Sequence, residues 1–302
     1  MKKLIFLFVA AALGLSLTSC SDDNLDDKSI FEEDKHQTRN KFDEWLLANY
    51  VYPYGIDVKY KLEQLETNLA HTLAPTDYDR AQILARIFKH AWIEAYNEVA
   101  GVEFTRAHLP REISLIGSDR YNVDGGNPGL TEDGVKVTLY KCNELILMAN
   151  KLNSMFLHNL HHAVVHYMLA EKKMDAAFAK ISGDAYVYGD WYLRPYIESY
   201  ADGFVTPYAG GWPDDDVAET VSIYLTYTDE DWNNILSYSG ESGRPKIEAK
   251  MDVIRRYMAK SWNIDLDHLR ATVVRRLSEV ESGQVDVSPI DNINPDLPSI
   301  LY

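Results

Sequence analysis

Four histidines, His158, His161, His162 and His166, fall within nine residues of the apolar stretch "SMFLHNLHHAVVHYMLAEKK" (Ser154–Lys173). His162 and His166 are four apart, so on a helix they project from one face on successive turns. That spacing lets two imidazoles hold one zinc ion and underlies the HExxH pattern of zinc hydrolases. In that pattern a Glu follows the first His. It takes a proton from metal-bound water and passes it to the leaving group. Here the position is Ala163. A shifted register pairs His158 with His162, and Asn159 then stands where the Glu would be. Both registers offer paired nitrogen donors and neither offers a base. Histidine pairs at this spacing also occur on ordinary packed or solvated helix faces, so the spacing alone leaves the metal reading open.

The elements that must position this segment follow from periodicity. Phe42, Trp45, Leu46 and Asn49 are at helical spacing before a break at Pro53-Tyr54-Gly55, and "IDVKYKL" alternates as a strand does. Residues 79–99 predict an amphipathic helix, with Leu84, Ile87, Phe88, Ala91, Ala95 and Val99 on one stripe and Gly101 closing it. "EISLIGS" and "GVKVTLY" predict short strands on either side of the turn-rich "NVDGGNPGLTEDG". After the histidine helix, residues 184–212 are aromatic-rich and irregular. Two amphipathic helices follow, one carrying Ile247, Met251, Ile254 and Met258, the other Leu269, Val273, Leu277 and Val280. A proline-punctuated extended tail covers 286–302. With no repeat and no dividing linker, residues 41–285 predict one α+β unit: a small mixed sheet, a central helix and a mostly helical C-terminal half.

The chain opens with "MKKLIFLFVAAALGLSLTSC". Lys2 and Lys3 precede an apolar run, the form of an export signal (residues 1–19). "LTSC" reads as a lipobox, which would make the acylated Cys20 the first mature residue; an ordinary secretory signal cut near Ser19 is the plainer reading. The acidic stretch 20–40 reads as a flexible tether. No later segment is long and apolar enough to span a bilayer, so the membrane contact expected is a lipid anchor. The 302 residues carry 30 Lys and Arg against 46 Asp and Glu, net −16. Loss of Lys2 and Lys3 with the signal makes this −18, which argues against nucleic acid or an anionic lipid surface as partner. With Cys20 acylated, Cys142 is the one cysteine left, and an intramolecular disulfide is excluded. Its place after a strand predicts a core thiol.

The stretches "FDEWLLANYVYPYGIDVKYKL", "ISLIGSDRYNVDGG" and "GVKVTLYKCNEL" before the histidine helix, and "GFVTPYAGGWPDDDVAETVSIYL" after it, together resemble the zinc-binding metallopeptidase lipoproteins of the Bacteroidetes. These are also described as substrate-import-associated zinc metallohydrolases. The resemblance spans about residues 40–280. The family's motif is "HHEFAH", against "HHAVVH" at His161–His166 here.

The resemblance implies a zincin-like fold and one zinc ion held by His162, His166 and, from the later acidic segment, Glu219. Asp214, Asp215 and Asp216 would orient the imidazoles or stand in as a base. The same acidic run also reads as a solvated helix start, capping the helix and complementing its dipole. Tyr208 would donate to a developing oxyanion, or simply pack on the core. The resemblance further implies an outer-membrane lipoprotein at the cell surface, acting on peptide or another polymeric nutrient beside a TonB-dependent importer and its binding lipoprotein. Ala163 separates metal binding from catalysis: the expected ligands remain and the base is missing. The expectation is therefore a zinc site with weak or absent hydrolysis. The alternative is a pseudoenzyme that binds peptides or glycans for the uptake system, and a lipoprotein without a ligand is the third reading.

Overall fold

The computed structural model describes residues 39–62, 72–119, 131–132 and 136–290. The signal sequence, Cys20, nearly all of the tether and tail residues 291–302 lie outside the described residues. The sheet is small and mixed, as its sequence predicts. Its strands are β1 (Asp57–Lys59), β2 (Glu112–Leu115), β3 (Thr131–Glu132) and β4 (Lys136–Leu139), in the order β1-β2-β4-β3. The first three positions pair in parallel, and β3 runs antiparallel along the edge of β4. Ile113 is level with Val58 and with Val137, and all three are buried, so one row of β-branched side chains crosses the sheet. The alternating stretch 56–62 yields a strand of only three residues.

Parallel pairing of β1 with β2 requires a crossover, and a long helical run supplies it. Helix α1 (Tyr78–Phe88) begins at Asp77, whose carboxylate accepts from the Arg80 amide at 3.2 Å. The run continues through a wider π-helical stretch, Lys89–Ile93, into α2 (Glu94–Ala100). Gly101 stops it at φ +87°, a conformation that costs a residue without Cβ little. Leu84, Ile87, Phe88, Ala91 and Ala95 are fully buried, so the amphipathic stripe faces the core as its spacing requires.

The histidine helix, α3 (His158–Glu171), is prefaced by a π-helical stretch, Asn153–Leu157. Leu160, Ala163, Val164 and Met168 are fully buried and Val165 and Leu169 nearly so, which makes α3 a central helix. Its most extensive helix partner is α4 (Pro213–Thr226). The long α5 (Gly240–Trp262) and α6 (Leu266–Glu281) close the described chain. Ile247, Ile254, Leu269 and Val273 are fully buried on them, as their periodicity predicts. Cys142 is buried and free.

Candidate metal centre

Helices α3 and α4 lie antiparallel, and the pairing can be read from end to end. The Asn153 amide donates to the Thr226 carbonyl. Further along, His158 meets Glu219, His166 meets Asp215, and Lys173 reaches Asp214. Three histidines at intervals of four on one helix, His158, His162 and His166, therefore face two carboxylates four apart on the other, so one helical face of nitrogens confronts one of carboxylates.

His162 sits at the middle of this array, buried to 2 % exposure. Its Nδ1 lies 3.3 Å from Glu219 Oε1. Its Nε2 lies 2.9 Å from His166 Nε2, and that nitrogen lies 3.3 Å from Asp215 Oδ1. His158 Nε2 makes a 2.8 Å contact with the same Glu219 Oε1. Thr206 donates its hydroxyl to Glu219 Oε2 at 2.9 Å and accepts from the Ala209 amide at 3.1 Å. Burial pushes the Glu219 carboxyl up, but His158 and His162 outweigh it and hold the group well below the usual carboxylate range. Glu219 is thus an ionised carboxylate in a nearly dry site.

Among the described residues, two sets of side chains bring one ligand atom each within 4.8 Å of the others: His162, His166 and Asp215, and His158, His162 and Glu219. The first fits a cation well. Two Nε2 lone pairs 2.9 Å apart repel unless a proton or a cation lies between them. Tetrahedral zinc with ligands at its usual bond lengths sets such nitrogens about 3.3 Å apart, a small widening. A His-His-carboxylate set leaves the fourth position open, as catalytic zinc sites do. Glu219 on the far nitrogen of His162 then has the place of a carboxylate that fixes tautomer and ring orientation.

The remaining expected residues are each accounted for. Tyr208 stacks on His162, ring centroids 5.7 Å apart, and its hydroxyl lies 3.4 Å from Asp215 Oδ1, so it joins the site. The three aspartates diverge. Asp215 faces His166, Asp214 is exposed near Lys173 at 3.6 Å, and Asp216 is fully buried 2.7 Å from the Lys250 ammonium. They do not cap the helix: the N-cap is Trp212, Pro213 follows at the first turn, and the aspartates occupy that turn, where they complement the dipole. His161 leaves the row altogether. Its Nδ1 meets the Tyr96 hydroxyl at 3.1 Å, and burial with the nearby His158 depresses its pKa to about 3, so the ring is neutral. Ala163 is fully buried in the main hydrophobic cluster.

Sequence reasoning missed Thr206 and the pairing of Lys250, for which no local signal exists. It placed Asp215 only as a helper. The signal available was the interval of four between Asp215 and Glu219, which mirrors His162 and His166.

Comparison with known proteins identifies relatives named for zinc binding. A model of the family described as "Putative zinc-binding metallo-peptidase" matches residues 35–267. The crystal structure of a putative zinc-binding metallo-peptidase from Bacteroides caccae is similar at 41 % identity and a TM-score of 0.74, covering 82 % of this chain and 95 % of that one. No curated protein matches.

Proposed function

Since the chain belongs to the putative zinc-binding metallo-peptidase family, we propose that it holds one zinc ion on His162, His166 and Asp215 and binds peptides with weak or no hydrolysis. The observation that carries the reading is the division of labour on His162, whose Nε2 joins His166 and Asp215 while its Nδ1 faces Glu219. Glu219, the third ligand expected from the resemblance, becomes the residue that orients His162. A second reading, with the ion on His158, His162 and Glu219, is favoured by the 2.8 Å contact between His158 and Glu219.

When bound, zinc supplies a Lewis acid and lowers the pKa of its water. The chain's own part is legible beside it. Glu219, itself fixed by His158 and Thr206, lies 3.3 Å from His162 Nδ1, where its charge favours the proton on Nδ1 and so leaves Nε2 as a lone-pair donor. Tyr208 presents a hydroxyl beside Asp215, where it can donate to an oxygen that gains charge. No carboxylate stands at position 163, and of the three aspartates only Asp214 is exposed, near Lys173. Loss of a general base costs about a hundred- to ten-thousand-fold in rate, which is the basis for weak hydrolysis.

In this proposal the mature chain is an acylated lipoprotein of the outer membrane, tethered through Cys20 and residues 21–40, serving a TonB-dependent importer of peptide or other polymeric nutrient. The test is metal analysis of the purified mature chain. One zinc per chain is expected, lost in His162→Ala and in His166→Ala. Retention in His166→Ala but not in His158→Ala selects the second reading. No zinc in the unaltered chain overturns both. A peptide-cleavage assay with and without chelator tests the catalytic half.

A further inference from the structure

The segment between α3 and α4 leaves an unusual amount of apolar side chain in water. Leu193 is 70 % exposed, Tyr192 65 %, Ile197 60 % and Tyr196 59 %, with Tyr188 and Trp212 half exposed. Four large apolar side chains exposed within six residues of chain are the kind of surface that serves binding, and aromatic enrichment is characteristic of such faces.

This surface is wired to the histidine row by ring contacts. Trp191 packs edge-on against Tyr192 at 6.0 Å and against Tyr208 at 4.9 Å, and Tyr208 stacks on His162. Trp212, edge-on to Tyr188 at 4.6 Å, immediately precedes the helix that carries Asp215. Tyr196 packs against Tyr200, with ring centroids 5.8 Å apart.

The exposed charge of this segment is acidic, although Asp214, Asp215 and Asp216 at its end face Lys173, His166 and Lys250. Residues 184–216 contain seven carboxylates and one basic residue, Arg194. Arg194 is occupied by Asp202 and by the Ala185 carbonyl. Asp184, Asp190 and Glu198 are exposed. A ring platform with acidic neighbours suits either a sugar or a cationic peptide. Two of the most exposed side chains are aliphatic, however, and a sugar gains little from Leu193 and Ile197, whereas a peptide buries apolar side chains on them.

We propose that the exposed face formed by Tyr192, Leu193, Tyr196 and Ile197 is the subsite that selects the peptide presented to the histidine row, and that it takes apolar or aromatic side chains flanked by lysine or arginine. The proposal rests on the reading of the site as one that binds peptide. Its attraction is part charge, so it weakens with salt, and part apolar area, which does not.

The experiment uses the chain from residue 21, with and without one equivalent of zinc. Calorimetric titration is done with Ac-Lys-Phe-Lys-Phe-NH2, with Ac-Glu-Phe-Glu-Phe-NH2, with Ac-Lys-Gly-Lys-Gly-NH2 and with maltohexaose. Saturable binding of the first is expected, at least tenfold weaker for the second and third, and weakened at least tenfold by Leu193→Ser with Ile197→Ser. Both serines replace side chains that face water, so circular dichroism and zinc stoichiometry stay unchanged. Equal affinity for the acidic and basic peptides, binding of maltohexaose in their place, indifference to the serine variant, or no binding at all overturns the inference. Zinc content in the same samples separates the two ideas. Zinc bound without peptide sinks the subsite and leaves the metal centre standing, and peptide bound without zinc does the reverse.

Discussion

His162 Nδ1 lies 3.3 Å from Glu219 Oε1 while its Nε2 lies 2.9 Å from His166 Nε2, so one imidazole links a buried carboxylate to a ligand cluster. The two carboxylates of α4 should then differ in what their removal does. Asp215→Asn deletes a ligand and is expected to weaken zinc binding by more than the roughly 10- to 100-fold expected for Glu219→Gln, which removes an orienting partner. Competition against a chromophoric chelator measures both. The reverse ranking would put the ion on the His158 side.

Behind Asp215 the next residue is tied into the protein interior. Asp216 and Lys250 are both fully buried, joined at 2.7 Å, and completed by the Tyr186 hydroxyl on Asp216 and the Gly203 carbonyl on Lys250. Burial pushes Asp216 up and pulls Lys250 down, each opposed by the charge of the other. Removing one partner strands a charge, so Lys250→Met is expected to cost about 3–5 kcal/mol, a fall in Tm on the order of 10 °C for a chain of this size. Adding Asp216→Asn should recover part of it. A single mutant as stable as the parent in thermal unfolding would show the pair to be dispensable.

How far the site was legible follows from these residues. The interval between His162 and His166, and the buried stripes of α1, α5 and α6, are local patterns and survive folding intact. The choice between Asp215 and Glu219 is not local. It depends on the antiparallel alignment of α3 and α4, which a periodicity cannot supply. Thr206 and Lys250 reach Glu219 and Asp216 from other segments, so their roles exist only in three dimensions. The π-helical stretch before the histidine row was equally unreadable, since it changes the turn without changing the pattern of apolar residues.

Acid should loosen the contact between α2 and α6. Slight burial pushes Glu98 and Glu279 up, but Arg276 and Arg275 on Glu98, and Arg275 and His90 on Glu279, hold both below the usual range. Depressed carboxyls stabilise the fold above their unfolded pKa, about 4.3. That contribution is lost as pH falls through this value toward the folded ones. These pairs are partly exposed and screened by salt, so the effect is expected below about 1 kcal/mol. Urea midpoints between pH 6 and 3 should fall less steeply in Glu98→Gln than in the parent, and parallel curves would rule the cluster out.

Cys142 is buried, and burial pushes its thiol up to about 12. Near pH 8 almost none of it is thiolate, the reactive form. In a chain beginning at residue 21, a disulfide exchange reagent should therefore find no thiol until denaturant is added, and then one. Rapid labelling of the folded chain would show that the strand end beside it opens.

The sharpest test restores what position 163 lacks. The resemblance implies "HHEFAH" where this chain has "HHAVVH", and Ala163, Val164 and Val165 are all buried here. A lone Ala163→Glu must place a carboxylate beside two valines shaped for an apolar wall, so a variant carrying Ala163→Glu, Val164→Phe and Val165→Ala together relieves the crowding. If zinc is held and only the base is missing, that variant should cleave peptide at least about a hundredfold faster than the parent. The matching Gln variant should not, and zinc content should be equal in all three. Zinc-replete restored protein without activity would mean that more than the glutamate has been lost. Chelator-sensitive cleavage by the unaltered chain would mean that a carboxylate elsewhere, Asp214 being the exposed one, already acts as the base.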